Sequence, residues 1–121
     1  AYIKERQQFG VAIGKFQATG FKLADMAVEL RAADLLVKDA ISKADQGVMT
    51  DSDAAMVKLY CSEMLNRVAD NTVQIYGGMG LMDDLPVQRL WRDSRLERTW
   101  DGTSEIQRHI ITRNLLRPLG A

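Results

Sequence analysis

The 121 residues are enough for one packed core, and an apolar content of 46% is enough to fill it. Sixteen basic residues against sixteen acidic ones leave no net charge, so neither nucleic acid nor an anionic membrane surface is favoured as a partner. One cysteine (Cys61) and one histidine (His109) exclude an internal disulfide and a thiolate- or histidine-rich metal site, and no apolar run approaches the roughly 20 residues that span a bilayer.

Periodicity is helical along the chain, and strand alternation is absent. Ala1–Arg6 has neither a leader-like pattern nor a helix cap, and reads as the inside of a helix that begins earlier. The chain is therefore expected to be a fragment. A first helical piece, about Tyr2 to Gln8, breaks at Phe9-Gly10-Val11-Ala12-Ile13-Gly14, where two glycines bracket a short loop. A second helix is expected from Gln17 to Asp45, a rod of roughly 40 Å at 1.5 Å per residue. Its predicted apolar face is Leu23, Ala27, Leu30, Val37, Ile41 and Ala44, and Gly47 is a natural stop.

The third helix should begin at Thr50, where a threonine cap with an acid three positions later (Asp53) resembles a capping box. Val57, Tyr60, Cys61, Met64, Val68, Thr72 and Ile75 form its apolar face, and Gly77-Gly78 ends it. A fourth helix starts at Pro86 and runs to about Arg98. The fifth runs from Thr103 to about Leu116, closed by Pro118 and Gly120. Long helices with short joints predict an all-α fold, an antiparallel four-helix bundle with an additional short helix.

Several stretches carry chemistry. Trp100-Asp101-Gly102-Thr103-Ser104-Glu105-Ile106-Gln107-Arg108 sets an acid on a glycine turn directly before a helix start. A carboxylate there can face a cleft together with the free N–H groups of the helix's first turn. Asp-Gly is equally an ordinary turn pair. Gln74-Ile75-Tyr76-Gly77-Gly78-Met79-Gly80 lets a phosphate or ribose approach the backbone, with the Gln74 amide available for hydrogen bonding, or is simply a helix end and turn. It is not the dinucleotide fingerprint, because it follows a helix rather than a strand. In Glu5-Arg6-Gln7-Gln8-Phe9-Gly10 the arginine can grip a pyrophosphate or cover a core phenylalanine. Arg89, Arg92, Arg95 and Arg98 recur every three residues among Asp93 and Glu97, which reads as a salt-bridged solvated or interdomain face. Cys61 lies on the apolar stripe as a small hydrophobe, and His109 reads as structural.

Taken together and in order, Glu5–Gly10, Gln17-Ala18, Gln74–Gly80, Arg92-Asp93-Ser94-Arg95 and Asp101–Arg108 closely resemble the C-terminal helical domain of the acyl-CoA dehydrogenase family. The resemblance covers residues 1–121 and implies a longer parent with an N-terminal helical domain and a middle β-domain. It implies an FAD-dependent oxidation of an acyl-CoA thioester to the α,β-enoyl-CoA. In it Asp101 stands at the family's catalytic glutamate, Trp100 flanks the thioester, and the backbone at Asp101 and Gly102 meets the substrate. Thr103 and Glu105 match residues that contact the FAD of the same subunit. Arg6, Phe9, Gln17, Gln74 and Gly78 match residues that touch the FAD of a neighbouring one.

The resemblance also implies a homodimer or homotetramer, an electron-transferring flavoprotein as acceptor, and the bacterial cytoplasm or mitochondrial matrix rather than secretion. The fragment by itself is expected to be inactive. Asp101 departs from the usual glutamate by one methylene, about 1.5 Å of reach. Related flavin oxidases that act on nitroalkanes use aspartate, so an aspartate-using oxidase stays open. So does a non-catalytic helical assembly module.

Overall fold

The helix on which the others pack begins at Thr50. The Thr50 hydroxyl accepts from the Asp53 backbone N–H at 3.2 Å, and the Asp53 carboxylate accepts from the Thr50 backbone N–H at 2.9 Å. The sequence-predicted capping box is thus present with aspartate in the glutamate position. In the computed structural model, which describes residues 1–120, the chain forms α1 (Tyr2–Glu5), β1 (Gln7–Gln8), β2 (Val11–Ala12), α2 (Gln17–Asp45), α3 (Asp51–Tyr76), α4 (Val87–Leu96) and α5 (Ser104–Leu116). Single 3-10 turns follow β2, α3 and α5. Helix α3 packs against α2, α4 and α5, so it is the spine of an all-α bundle. No helix is long and apolar enough to cross a membrane.

The α2–α3 pairing is antiparallel, and its polar contacts mark the register. Lys43 Nζ meets Asp53 Oδ1 at 2.7 Å, Arg67 Nε meets Glu29 Oε1 at 3.0 Å, and Lys22 Nζ meets Asn71 Oδ1 at 3.0 Å. Positions on α2 fall as their partners on α3 rise, as two antiparallel rods require. Between these contacts the seam is closed by Ala33 and Ala40 on α2, and Ala55 and Met64 on α3 add to the core.

That seam overlaps the predicted face of α2 only in part: Leu23 and Val37 are partly buried, and Val37, Ile41 and Ala44 line a hollow with Val57 and Lys58 of α3. Leu30 and Ile41 are half exposed, at 50% and 55%, and Ala27 and Ala44 are also exposed. The most buried positions are alanines, which a pattern of large apolar residues passes over, and Phe21, Val28 and Leu35, outside the predicted face, lie exposed at heptad spacing. On α3 the predicted face holds: Met64 is buried and Val57, Tyr60, Cys61, Val68, Thr72 and Ile75 are partly buried.

The N-terminal segment is a second correction. Its helix stops at Glu5, and Gln7–Gln8 pairs antiparallel with Val11–Ala12, Gln7 opposite Ala12. The turn residues Phe9 (φ 52°) and Gly10 (φ 77°) are both left-handed, which is the backbone of a two-residue hairpin of the primed type. Asn or Asp normally occupies the first of those positions, so Phe9 gave no signal of the turn. Helix α4 ends at Leu96, two residues before the predicted end at Arg98. Packing through alanines carries a direct test. Ala33→Leu should lower the unfolding free energy by about 1–3 kcal/mol in a urea titration, since overpacking forces the rods apart. An unchanged midpoint would mean that α2 and α3 do not meet at this residue.

Candidate functional site

The residues singled out in the sequence fall into two clusters, one near each end of α3. The first surrounds Asp101, in the turn between α4 and α5. Asp101 (φ 50°) and Gly102 (φ 91°) are consecutive left-handed residues. Aspartate tolerates that conformation better than most side chains, and glycine adopts it freely. The carbonyls around this turn are tied down. Lys58 Nζ donates to Glu97 O at 2.8 Å and to Gly102 O at 2.7 Å. The Gln107 amide donates to Gly102 O at 3.1 Å and, more weakly, to Asp101 O at 3.4 Å. Among the described residues the Asp101 carboxylate has no hydrogen-bond partner and its backbone N–H no acceptor.

Asp101 is exposed and borders neither of the two hollows described below, which differs from the sequence expectation of a carboxylate facing a cleft. The reason is its place at the crown of a turn, at one end of the bundle. Beside it, Trp100 is 49% exposed, and its indole N–H donates to Glu97 Oε2 at 2.9 Å. Thr103 caps α5, its hydroxyl accepting from the Ile106 N–H at 3.3 Å. Glu105, in the first turn, is exposed. Its own backbone N–H and then the Thr103 hydroxyl hold its carboxyl below the usual range. Below the turn, Glu63 accepts from Ser104 Oγ at 2.7 Å, with Arg98 Nε at 3.0 Å and Arg108 Nη2 at 4.0 Å. Burial opposes the Glu63 charge, but the Ser104 hydroxyl and the two guanidinium charges outweigh it and hold its carboxyl below the ordinary carboxylate range.

The second cluster lies where α3 ends. A cleft of about 570 Å³ is lined by Tyr2, Arg6, Gln8, Gly77, Gly78 and Met79, among others. Tyr2 and Tyr76 stack at its edge with ring centroids 4.4 Å apart, and Tyr2 Oη donates to Tyr76 O at 3.1 Å. A neighbouring groove of about 350 Å³ contains Phe9 and Gln74 and shares Gln8, Ile13 and Ile75 with the first. Arg6 has no carboxylate partner among the described residues, Gly78 faces open space, and Phe9 is 94% exposed at the hairpin tip. Gln17 is exposed at the start of α2 and lines neither hollow. The structure thus gathers Arg6, Phe9, Gln74 and Gly78 at one end, and Trp100, Asp101, Gly102, Thr103 and Glu105 at the other. Lys58 and Gln74 are separated by about 24 Å along α3 at the ordinary helical rise.

Three residues that matter to the first cluster carried little sequence signal. Lys58 follows Val57 in the chain but lies about 100° around α3 from its apolar stripe, where a lysine is ordinary, so it gave no clue. Gln107 and Glu63 read as ordinary helical polar residues. The arginine run of α4 is solvated without being salt-bridged: Arg89, Arg92 and Arg95 are exposed and lack an acidic partner among the described residues, Arg95 bonds Thr99 Oγ1, and only Arg98 meets Glu63. Cys61 is partly buried, and burial pushes its thiol up.

An all-α bundle with these two ends is a recognisable class of domain. Residues 1–116 match the family profile described as acyl-CoA dehydrogenase, C-terminal domain, and the chain belongs to that family. A probable acyl-CoA dehydrogenase of Bacillus subtilis, YngJ, is 46% identical over 117 residues, covering 97% of this chain and 31% of that protein. The structure of butyryl-CoA dehydrogenase from Megasphaera elsdenii superposes with a TM-score of 0.93 at 40% identity, covering 96% of this chain and 30% of that one. An FAD complex of PigA superposes with a TM-score of 0.90 at 37% identity, covering 94% and 30%. The chain therefore spans about a third of the length of the relatives it matches.

The Glu63 hub gives a pH-dependent prediction. Its folded pKa lies below the unfolded one, so its stabilising contribution is full above the unfolded value near 4.5 and disappears as pH falls through the folded value. Glu63→Gln should unfold at a lower temperature than the parent at neutral pH, and the gap should close in acid. A gap that widens toward low pH would contradict the assignment.

Proposed function

We propose that this chain supplies the proton-abstracting carboxylate and part of the cofactor cradle of an FAD-dependent acyl-CoA dehydrogenase. The reaction is oxidation of an acyl-CoA thioester to the α,β-enoyl-CoA. The observation that carries this reading is Asp101: its backbone is left-handed and its neighbouring carbonyls are tied to Lys58 and Gln107, while its N–H and carboxylate remain unspent. Strain held in place by surrounding contacts is characteristic of working sites.

Asp101 takes the α-proton. Its backbone N–H is free to donate to the thioester carbonyl, which stabilises enolate character and acidifies the α-carbon. Trp100 presents an aromatic surface beside the thioester, and Gly102 keeps the turn low enough for substrate to approach. When bound, FAD supplies the acceptor for the hydrogen that leaves the β-carbon with its electron pair. The donors present suit such a group. Arg6 is an unpaired guanidinium at the mouth of a cleft with open glycine backbone at Gly78, which fits a pyrophosphate, and Gln74 offers an amide near the same end. Thr103 and Glu105 would meet FAD at the Asp101 end, and Phe9 and Gln17 at the hairpin end.

Because the two clusters are separated by the length of α3, they fit two cofactors on neighbouring copies, as in a homodimer or homotetramer. The exposed apolar residues Phe21, Val28 and Leu35 of α2 favour such assembly. In this reading the open face around Asp101 is covered by further chain, which also completes the acyl pocket. An electron-transferring flavoprotein is the acceptor that suits a dehydrogenase, whereas release of hydrogen peroxide would identify the aspartate-using oxidase instead.

Two substitutions separate the roles. Asp101→Asn in the full flavoenzyme should lower turnover roughly 10²–10⁴-fold, the range of general base catalysis, while the protein stays yellow. Retained turnover removes Asp101 from the reaction. Arg6→Ala should instead reduce the flavin bound per subunit on purification, read from visible absorbance against protein. Full flavin content in that variant removes Arg6 from the cradle.

A further inference from the structure

Resting on the reading of Asp101 as the base, we propose that Lys58 is the positioning residue that sets where that carboxylate stands. Lys58 reaches from α3 to the carbonyls of Glu97 and Gly102, the two flanks of the turn that carries Asp101. Both distances are below 3 Å, and the ammonium has no carboxylate partner among the described residues. One cation thus draws together the end of α4 and the approach to α5. Glu97 is the C-terminal cap of α4, where unpaired helix carbonyls make a cation favourable. Gly102 directly follows the reacting residue.

The neighbouring bonds do not replace this clamp. Gln107 holds the same turn from the α5 side only, and Ser104 with Glu63 anchors the first turn of α5 rather than the turn itself. The left-handed backbone at Asp101 relaxes readily in a free turn, so it must be held from both flanks. The need is sharper here because aspartate is short. A side chain with two rotatable bonds cannot recover a displaced turn by changing rotamer, as a longer acid could. Lys58 therefore acts through the backbone, and its loss is expected in the chemical step rather than in substrate binding.

The test uses the full-length flavoenzyme with butyryl-CoA and palmitoyl-CoA as substrates and ferrocenium as acceptor. It compares Lys58→Met, Lys58→Arg, Lys43→Met and Asp101→Asn. Lys58→Met should lower kcat about 10- to 100-fold, the scale of a misplacement near 1 Å, with KM unchanged within about twofold. Amide hydrogen exchange over residues 98–103 should accelerate in the same variant, with or without flavin. Lys58→Arg, which can still bond both carbonyls, should restore most of kcat and most of the protection. Lys43→Met removes a lysine bridged to Asp39 and Asp53 elsewhere on the bundle, and should leave kcat unchanged. If Lys58→Met does not fold, Lys58→Gln takes its place with the same criteria.

A kcat near the parent's, unchanged exchange over 98–103, or an equal fall in Lys43→Met overturns the proposal. Its failure is separable from failure of the base assignment. An active Asp101→Asn removes both, whereas an inactive Asp101→Asn beside a fully active Lys58 variant removes the role of Lys58 alone.

Discussion

The antiparallel pairing of α2 with α3, which leaves Ala33 and Ala40 buried, is the constraint on which the remaining geometry rests. Alanine contributes little apolar area, so the seam draws its strength from packing and dispersion rather than from large side chains. Exposed or half-exposed ion pairs mark its register, with Lys43 on Asp53 at one end and Arg67 on Glu29 further along. A rigid α3 then offers two fixed ends. The first anchors Lys58 and Glu63 under the Asp101 turn. The second delivers Gln74, Tyr76 and the glycines to the cleft beside the N-terminal hairpin.

Most of the helical framework was legible in the residues because its punctuation is strong. Thr50 with Asp53, Gly47, Gly77, Pro86 and Thr103 each mark an end for a stated stereochemical reason, and α2 runs from Gln17 to Asp45 as its periodicity predicts. Two features were not fully legible. The orientation of α2 was read only in part, because its most buried positions, Ala33 and Ala40, are small and a pattern of large residues sets the face to one side of them. The hairpin at Phe9-Gly10 was hidden because a phenylalanine in left-handed backbone carries no turn signal, and Gln7-Gln8 is as compatible with helix as with strand.

The candidate site shows the same division. The motif around Asp101 is local, so its turn and helix cap could be read directly. Of the groups that hold it, Gln107 is local but Lys58 comes from about forty residues away, and a sequence reading gives no pairing between Lys58 and the carbonyls of Glu97 and Gly102. Backbone carbonyls have no sequence identity. A lysine that serves them from outside its helix's apolar stripe leaves no trace in the sequence.

A shorter acid at a catalytic turn transfers the burden of placement from side chain to backbone. In a glutamate the extra rotatable bond lets the carboxylate search for the α-proton while the turn stays approximate. With Asp101 that search is lost, and the turn must stand within the tolerance that proton transfer itself allows, a few tenths of an ångström around hydrogen-bond distance. Consecutive left-handed residues, a glycine whose added Cβ would sit 2.6 Å from the Gln107 amide, and carbonyls bonded from both α3 and α5 are the features such a requirement selects. None of them depends on the chemistry of the acid's own side chain. They define the position of a backbone, and through it the reach of whatever carboxylate the turn carries.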